Sequence, residues 1–460
     1  MDIYTKITSR PKLYRSCRNR VLCLLLMIIF GLNVIHFSLN ISVYHDNEIS
    51  KTMTEHRRIN VEDGCVYHPQ YDDVDYNPKV VTEPCENMQI YDNLFIHLHN
   101  AIIKTNKLHM LKRGIEQNVQ ETDEIYGHFT TQVGNVKLHS GFCALQCNFD
   151  LDDYTMHELF IQDNVKRWID GVLVVDQPLV YNTTELVFTV AVQRSDNTNI
   201  YVLIREWYNI FIVTYFLQQI TTECKIKVLF VDDWPKSNLD DAWETIFGSI
   251  QRIAFIKRPQ LYKNLVWIIP KSKSPMGDMG LKILPLVESF QTFVLHKHGL
   301  TIANNNNNCK KLNILLVQNK RGYNSDVGFE REIKNVHEIW QEITRIIPEH
   351  NTTVVRIEDL SLKNQLSYIS QTNILIGMHS TAMTYIMFLP KQAGVIELFP
   401  KDTLTTNNRY KIIARWRQLY YISWQNTQPW NDIAKDGSTY IPLNVISFLL
   451  RKTVKKICNR

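Results

Sequence analysis

The second half of the chain alternates short apolar stretches with helical patterns. The stretch 313–317 has the length of a buried strand, and apolar side chains recur at helical spacing over 330–347: Ile333, Val336, Trp340, Ile343 and Ile347. Four further strands and three further helices follow, at 353–357, 362–370, 373–376, 382–388, 394–398, 420–424 and 442–454. Strands that alternate with helices at this spacing build a parallel sheet. The sequence therefore predicts an α/β fold with a Rossmann-like sheet in this half.

The first half shows the same alternation less regularly. Three strands and two helices are predicted there: 187–192, 201–217, 227–231, 241–247 and 265–269. The helix at 201–217 is apolar enough to suggest a membrane span, but Arg205 and Glu206 favour a buried helix because a central charge is costly in lipid. Five asparagines at 304–308 separate the halves. We predict two α/β domains, 91–303 and 304–460, that face each other across a cleft.

An uncharged apolar run at 21–39 precedes both domains. It is close to the length of about 20 residues that crosses a bilayer, and basic residues concentrate before it. The positive-inside rule then places the tail, 1–20, in the cytosol. A cleaved signal peptide is the alternative, although no small-residue cleavage motif follows the run. We predict a type II signal anchor, a polar stem at 40–90 and a lumenal body, in the membrane of the Golgi apparatus or the endoplasmic reticulum.

Charge excludes one large class of partners. The 460-residue chain has a net charge of +5, and its first 20 residues alone carry that excess, so the body is electrically balanced. Nucleic-acid binding needs a concentrated cationic face, and we therefore expect no nucleic-acid partner. The acidic patch in the stem, at Asp72, Asp73 and Asp75, lacks calcium-loop spacing and is expected to be a solvated surface.

Cysteines and glycosylation motifs agree with a lumenal body. Seven of the nine cysteines follow the anchor, an odd number that leaves at least one thiol free or paired with another chain. We expect Cys143 and Cys147 to join disulfides, since no second Cys/His pair with zinc spacing accompanies them. Three sequons are candidate N-glycosylation sites: Asn40, Asn182 and Asn351.

One strand-to-helix turn has the features of a phosphate site. An apolar strand reaches Gly377, presents His379 and Ser380, and passes into a helix at Thr381. The backbone N–H groups at a helix start, together with its positive dipole end, bind phosphate. Glu397 ends the next strand, so its carboxylate is expected at the same edge, within reach of a ribose or sugar hydroxyl. The alternative is that His379 is a structural residue.

These residues carry a family resemblance. The stretch 377–398 resembles the signature of glycosyltransferase family 61, G-x-H-G-A-x-L-T-x-x-x-F-L-P followed by a V-x-E-L strand. Nine positions match it: Gly377, His379, Thr384, Phe388, Leu389, Pro390, Val395, Glu397 and Leu398. The similarity continues in the YYISW strand at 420–424 and in the segment 261–277, and it covers about 185–455.

The resemblance implies a fold and a reaction. The fold is GT-B, with the nucleotide sugar held mainly by the C-terminal domain. The reaction is inverting transfer of N-acetylglucosamine or xylose from a UDP donor to a protein or glycan acceptor, without a required metal or other cofactor.

The sequence also departs from the family pattern. Ser380 and Thr381 stand where the family has glycine and alanine, and Lys320 or Arg321 must substitute for arginines that follow the first donor-domain strand. The family motif N-x-x-H-x-x-x-D reads Asn199, Val202 and Glu206 here. Val202 therefore replaces the histidine.

The departures leave three functional hypotheses. In the first, Glu206 is the general base of a working transferase, if the cleft raises its pKa; its alternative role is an ion pair or hydrogen bond in a buried helix, with Arg205 as a partner. In the second, the protein is catalytically impaired and binds nucleotide sugar or glycoprotein without transfer. In the third, Asp232 and Asp233 chelate a metal, although acids at strand ends are also common helix caps.

Overall fold

The computed structural model describes residues 73–74, 76, 78–110, 129–133, 136–147, 163–175, 187–220, 226–269, 274–301, 309–319, 323–324, 328–329, 332–401, 408–433 and 438–459. The internal contacts of the chain divide it into 1–60 and 61–460, and every described residue belongs to the second unit. The predicted tail, the predicted anchor at 21–39 and most of the stem lie outside the described residues, as do Asn40 and Asn182.

The N-terminal half, residues 73–301, contains four of the described helices. They are α1 Asp163–Asp170, α2 Ile200–Ile220, α3 Asp240–Phe247 and α4 Val287–Lys297. Its described strands are β1 Val80–Cys85, β2 Met88–Tyr91, β3 Phe95–Ile103, β4 Leu108–Met110, β5 Phe129–Val133, β6 Val136–His139, β7 Cys143–Gln146, β8 Val172–Val175, β9 Phe188–Val192, β10 Ile226–Phe230, β11 Ile250–Arg252 and β12 Gln260–Ile268.

A mixed sheet organises this half. Within the described ranges it has nine strands, in the order β1-β2-β3-β12-β9-β10-β11, with β7 and β8 continuing from β3. The strands β12, β9, β10 and β11 are parallel, whereas β3 runs antiparallel to β12. Strands β4, β6 and β5 form a separate small sheet. The carboxyl ends of the four parallel strands therefore lie at one edge.

The C-terminal half, residues 309–459, contains the other described α-helices. They are α5 Val336–Ile346, α6 Leu362–Ser370, α7 Arg409–Trp416 and α8 Leu443–Cys458, and a 3-10 helix spans Thr381–Phe388. Its described strands are β13 Asn313–Gln318, β14 Tyr323–Asn324, β15 Gly328–Phe329, β16 Asn351–Arg356, β17 Ile374–Met378, β18 Gly394–Phe399, β19 Tyr420–Gln425, β20 Asp432–Ile433 and β21 Ser438–Thr439.

A parallel sheet organises this half, as the alternation of strands and helices predicts. In the described part its order is β16-β13-β17-β18-β19, with every pair parallel. Counted along the chain, this is the doubly wound order 2-1-3-4-5, and the winding direction reverses between β13 and β17. The reversal opens a crevice beyond the carboxyl ends of those two strands.

Strand periodicity divides the core into layers. Ile314 and Leu316 of β13 pack in the cluster with α5 and α8, whereas Leu315 and Val317 face the opposite cluster with α6 and the 3-10 helix. That opposite cluster continues without a break into α2, α3 and α4 of the N-terminal half. The Phe290 and Phe388 rings, 6.2 Å apart between centroids, join the halves within it.

Helix α2 confirms the prediction of a buried helix. Among the described residues it is the one helix long and apolar enough to cross a membrane, over Ile200–Gln218, and 83% of that stretch is buried in the fold. Its apolar composition is explained by this burial between neighbouring helices and the sheet.

The predicted stem needs correction at its C-terminal end. Strands β1 and β2, at 80–91, are part of the mixed sheet. Asp73 is not part of a solvated surface either, because its Oδ1 and Oδ2 atoms accept from the backbone N–H groups of Glu288, at 2.9 Å, and Ser289, at 3.0 Å. These donors open helix α4 and have no partner within the helix. The folded body therefore includes Asp73.

Two helical predictions are also corrected in detail. The helix expected over 330–347 begins at Val336, because the preceding Lys334 donates its backbone N–H to Thr439 O at 3.0 Å. The segment expected as a helix over 382–388 is a 3-10 helix that begins at Thr381.

The prediction that Cys143 joins a disulfide is wrong, whereas Cys147 does form one. Disulfides join Cys85 to Cys147 and Cys309 to Cys458, with Cα atoms 5.7 and 5.9 Å apart. Cys143 carries a free thiol, because β7 directs it into the core beneath the mixed sheet, where burial raises its pKa to about 12. Cys65 and Cys224 lie outside the described residues.

Candidate functional site

A cleft of about 960 Å³ lies between the two halves. Four of the segments that line it come after the carboxyl ends of parallel strands: 197–200 after β9, 237–245 after β10, 357–363 after β16 and 381–385 after β17. Lys297 and His298, at the end of α4, also line it. In parallel α/β sheets, ligands bind beyond the carboxyl ends of the strands. The cleft occupies that position for both sheets at once.

The predicted phosphate turn lies where the winding of the C-terminal sheet reverses. Asn319 follows β13 and Ser380 follows β17, and the Ser380 hydroxyl donates to Asn319 Oδ1 at 3.1 Å. The structure thus brings the first and third strand ends of this sheet together. Lys320 and Arg321 come next after Asn319 in the chain, and both lie outside the described residues.

Ser380 and Thr381 begin the helical part of the turn. Ser380 is extended, with φ −155° and ψ 171°, so this position does not require the glycine of the family pattern. Thr381 opens the 3-10 helix, and Thr381 and Ala382 line the cleft. The positive end of this short helix is therefore at the cleft wall, where it favours a negatively charged group.

Gly377 has a packing role in the structure. It lies inside β17, and a Cβ atom added there would be 2.8 Å from Met383 Sδ, closer than such contacts occur. Its missing side chain lets the 3-10 helix pack on the strand. Gly377 thus shapes the turn from behind, and its contact with a donor stays a prediction.

His379 is held in one orientation by its neighbours. Its Nδ1 atom lies 2.5 Å from Glu397 Oε1, and its ring stacks on Phe399 with centroids 4.7 Å apart. The Tyr410 ring meets it edge-on at 5.1 Å. The side chain is buried, with a 6% exposed fraction.

Glu397 acts inside the protein. Its Oε1 atom pairs with His379, and its Oε2 atom accepts from the Tyr421 hydroxyl at 2.5 Å. Burial and the adjacent Glu397 carboxylate raise the pKa of Tyr421, so the phenol remains a donor. Glu397, which is buried, therefore positions His379, and its contact with a ligand hydroxyl stays a prediction.

The loop before helix α2 explains how that helix begins. Asn199 Oδ1 accepts from the backbone N–H groups of Tyr201, at 3.0 Å, and Val202, at 3.4 Å, as an N-cap residue does. Asp196 Oδ1 in turn accepts from Asn199 N at 3.0 Å. The asparagine of the family motif thus starts the helix, and Val202 lies half-buried in its first turn.

Glu206 is buried one turn further along α2, with a 7% exposed fraction. Its Oε1 atom accepts from Ser195 N at 3.0 Å and from the Ser195 hydroxyl at 3.4 Å, whereas Oε2 has no hydrogen-bond partner among the described residues. Burial raises its pKa to about 8, although the Ser195 hydrogen bond and Arg205 oppose the shift. Glu206 is therefore hydrogen-bonded to Ser195 in the loop before α2, and Arg205 Nη2 donates to the Ser195 hydroxyl at 3.5 Å.

The two aspartates after β10 do not act as a pair. Arg194 donates to both carboxylate oxygens of buried Asp232, whereas Asp233 is exposed. Within the described ranges, no three His, Cys, Asp or Glu side chains form a group that could hold a metal ion. Asp232 therefore serves an internal ion pair with Arg194.

Tyr421 and Arg194 take part in the hydrogen bonds of Glu397 and Asp232, and neither residue was identified from the sequence. Tyr421 lies in the YYISW strand, but nothing in the pattern indicates that its hydroxyl reaches Glu397, 24 residues earlier. Arg194 is the second residue after a predicted strand, where site residues in such sheets often lie, and that position is the signal that could have found it.

The family comparison agrees with this geometry. Residues 126–396 match the family model described as Glycosyltransferase 61, which is more than half of the chain. The chain belongs to the glycosyltransferase 61 family. The match covers the N-terminal wall of the cleft and the turn at 377–381, so the family assignment and the site coincide.

Named relatives of this glycosyltransferase 61 member include two enzyme groups. It is 24% identical over 242 residues to the EGF domain-specific O-linked N-acetylglucosamine transferase of Rattus norvegicus, covering 49% of this chain and 43% of the relative. It is 34% identical over 85 residues to the protein O-linked-mannose beta-1,4-N-acetylglucosaminyltransferase 2 of Bos taurus, covering 18% and 15%. The chain thus spans less than half the length of either relative.

Solved structures add nothing to the family assignment. The alignment with the rubredoxin oxygen:oxidoreductase of Desulfovibrio gigas covers 48% of this chain and 47% of that chain, at 8% identity and a TM-score of 0.21. Such a score is too low to relate the two folds.

Proposed function

We propose that this protein is a UDP-sugar-dependent glycosyltransferase with GT-B architecture, which transfers N-acetylglucosamine or xylose to a protein or glycan acceptor with inversion. The observation that carries the proposal is the cleft of about 960 Å³, lined by strand-end segments of both halves in a glycosyltransferase 61 family member. A nucleotide sugar on one wall and an acceptor on the other fit such a two-sided cleft.

The donor is assigned to the C-terminal wall. The diphosphate lies at Thr381, where the positive end of the 3-10 helix meets the cleft, with Ser380 and His379 beside it. Lys320 or Arg321 supplies positive charge from the segment after β13. The nucleoside extends along the segment 357–363, which lines the same cleft.

The acceptor is assigned to the N-terminal wall, with Glu206 as the general base. An inverting transfer needs a group that takes the proton of the acceptor hydroxyl. Burial raises the pKa of Glu206 to about 8, and its Oε2 atom has no partner among the described residues, so the carboxylate form is a competent acceptor of a proton. Because the carboxylate form grows as pH rises toward 8, transfer should increase over that range.

We propose that no metal ion is required. The support is the ion pair of Asp232 with Arg194, which engages both carboxylate oxygens. Asp232 Oδ1 lies 2.7 Å from Arg194 Nη2, and Oδ2 lies 3.0 Å from Nε. The positive charge that stabilises the leaving UDP then comes from the turn and from the bases after Asn319.

The proposed location is the membrane of the Golgi apparatus or the endoplasmic reticulum, with a single type II span at 21–39. The support is the charge pattern around that run, together with the sequon at Asn351, which is exposed at the start of β16. An exposed asparagine in a lumenal domain is accessible to glycosylation.

A second candidate function is binding without transfer. Two observations favour it: Val202 replaces the histidine of the family motif, and Glu206, with a pKa of about 8, is mostly protonated at neutral pH. In this case the cleft would hold a UDP-sugar or a glycoprotein, and no product would form.

One assay on the full-length protein in detergent micelles separates these functions. UDP-N-acetylglucosamine and UDP-xylose are each supplied with an EGF-like domain or an O-mannosyl peptide, with and without EDTA. Product that forms equally with EDTA supports the proposal, whereas product that disappears with EDTA supports a metal-dependent transferase. UDP binding measured by calorimetry, with no product from any pair, supports the binding protein.

A further inference from the structure

Arg194 follows strand β9 and lies fully buried, with a 1% exposed fraction. Its backbone N and its Nε atom donate to Asp232 Oδ2 at 3.1 and 3.0 Å, and Nη2 donates to Asp232 Oδ1 at 2.7 Å. The guanidinium and the carboxylate therefore meet in the two-pronged geometry that arginine alone provides.

A second carboxylate occupies the other side of the guanidinium. Arg194 Nη1 donates to Asp240 Oδ1 at 3.1 Å, and Asp240 also accepts from Ser237 Oγ at 3.2 Å and from Arg252. The guanidinium carbon lies 3.8 Å from the centre of the Phe230 ring. Two arginines thus balance two aspartates, and none of these charges is left without an opposite charge.

Two further hydrogen bonds, each from a side chain to a backbone oxygen, connect the loops that follow β9 and β10. Trp234 Nε1 donates to Arg194 O at 2.9 Å, and Asn197 Nδ2 donates to Pro235 O at 3.1 Å. The first loop, 194–199, follows β9, and the second, 232–240, follows β10 and ends at Asp240, the first residue of α3. Parallel strands leave such loops side by side, and these bonds, together with the Arg194–Asp232 ion pair, hold one against the other.

Both loops belong to the proposed acceptor wall. Asn197 and Thr198 of the first, and 237–239 of the second, line the cleft. Ser195 of the first loop donates to Glu206, which lies beneath it in α2. A shift of the 194–199 loop would therefore displace the Glu206 carboxylate and the cleft surface together.

We propose that Arg194 is a positioning residue, which locks the two N-terminal loops together and thereby holds Glu206 and the acceptor wall in their working geometry. This inference deepens the proposed function and rests on it. In the described structure the polar partners of Arg194 are Asp232, Trp234 and Asp240, all outside the turn at 377–381, so its effect should be on the chemical step and the acceptor, and not on UDP binding.

The sharpest variant is Arg194→Lys. Lysine keeps the positive charge, but a single ammonium cannot bond to both oxygens of Asp232 and to Asp240 at once. The charged groups that influence Glu206 are Arg194, Arg205 and Asp232, so a charge-preserving change limits the direct electrostatic effect on its ionisation. Ile343→Ala, in α5 on the outer face of the C-terminal sheet, is the matched control for lost stability.

Full-length wild type, Arg194→Lys and Ile343→Ala are compared by three measurements: hydrogen exchange of peptides covering 194–199 and 232–240, calorimetry with UDP, and transfer kinetics. For Arg194→Lys we expect exchange in both loops to accelerate at least tenfold, kcat to fall at least tenfold, acceptor KM to rise, and UDP affinity to stay within twofold. Ile343→Ala should lower the melting temperature but should not produce the combined changes in loop exchange, kcat and acceptor KM.

Two results would overturn the inference. Either unchanged exchange in both loops, or a kcat of Arg194→Lys equal to that of wild type, shows that the network does not position the wall. If wild type itself transfers no sugar, the proposed function fails instead, and exchange in the two loops still decides whether Arg194 holds them together.

Discussion

His379 Nδ1 lies 2.5 Å from Glu397 Oε1, and Glu397 Oε2 in turn accepts from the Tyr421 hydroxyl. His379 directly follows β17, and Glu397 and Tyr421 lie in the next two parallel strands, β18 and β19. This arrangement orients the imidazole without using any ligand. The geometry of the turn at 377–381 is thus set from inside the sheet.

Removing the imidazole should weaken donor binding. His379→Ala should lower UDP affinity by about 1.5–3 kcal/mol, the range for a hydrogen bond to a charged group. Glu397→Gln should have a smaller effect of the same sign, because the amide can still pair with Tyr421 but holds the imidazole less firmly. Calorimetry with UDP on the folded variants tests both, and unchanged affinity in His379→Ala would assign His379 to structure alone.

Replacing Glu206 should separate chemistry from binding. Glu206→Gln keeps the side-chain shape but cannot take a proton, so turnover should fall by ~10²–10⁴ while UDP affinity stays the same. Wild-type turnover should rise with pH toward 8, where the base form accumulates, and the variant should lack this rise. A fully active Glu206→Gln would place the base elsewhere in the cleft.

The same residue makes stability depend on pH. Burial raises the pKa of Glu206 from 4.5 to about 8, so the folded state keeps a proton that the unfolded state releases. Its stabilising contribution is complete below pH 4.5 and is lost as pH rises through 8. The melting temperature of wild type should therefore fall more steeply between pH 4.5 and 8 than that of Glu206→Gln. If the melting temperatures of the two proteins depend on pH in the same way, the burial of this carboxyl is contradicted.

Replacing Val202 by the histidine of the family motif tests whether the loss of that histidine limits transfer. Val202 lies half-buried in the first turn of α2, one turn before Glu206. Val202→His should raise transfer, or create it if wild type is inactive, because an imidazole there can assist proton removal. The kinetic assay with both UDP-sugars measures this. A folded variant with no gain would show that the histidine position no longer faces the acceptor.

The membrane topology is tested through a sequon in the folded body. Peptide N-glycosidase should lower the apparent mass of the expressed protein, and Asn351→Gln should remove one step of that shift because Asn351 is exposed. Asn313→Gln is a suitable control: it alters the side chain whose Oδ1 accepts from Asn351 Nδ2 at 3.0 Å and leaves the sequon intact. A mass unaffected by the enzyme, with a cytosolic C-terminus, would remove the secretory location.

Most of the fold could be predicted from the sequence because burial leaves a periodic pattern. The run 313–317 appears as β13, the helix at 362–370 has the predicted bounds, and 201–217 lies within α2. Apolar strands and helices retain these patterns wherever they pack. The parallel arrangement follows from their alternation, since helices connect successive strands in the same direction.

Elements whose state depends on distant partners could not be predicted. Asp73 was expected in solvent, but it caps a helix more than 200 residues later in the chain. Cys143 was expected in a disulfide, but β7 turns it into the core while Cys147 reaches Cys85. No local pattern records such long-range pairings.

For the site, the sequence by itself determined the candidate residues: a strand-to-helix turn at 377–381, a carboxylate at Glu397 and another at Glu206. Strand ends and helix starts are local features, so their chemistry is visible in the order of residues. Only the tertiary structure decided what each group does. Glu397 has both oxygens occupied by His379 and Tyr421, and Glu206 has one oxygen without a partner in the described part of the fold. Side-chain roles depend on which strands become neighbours, and that is decided when the sheets form.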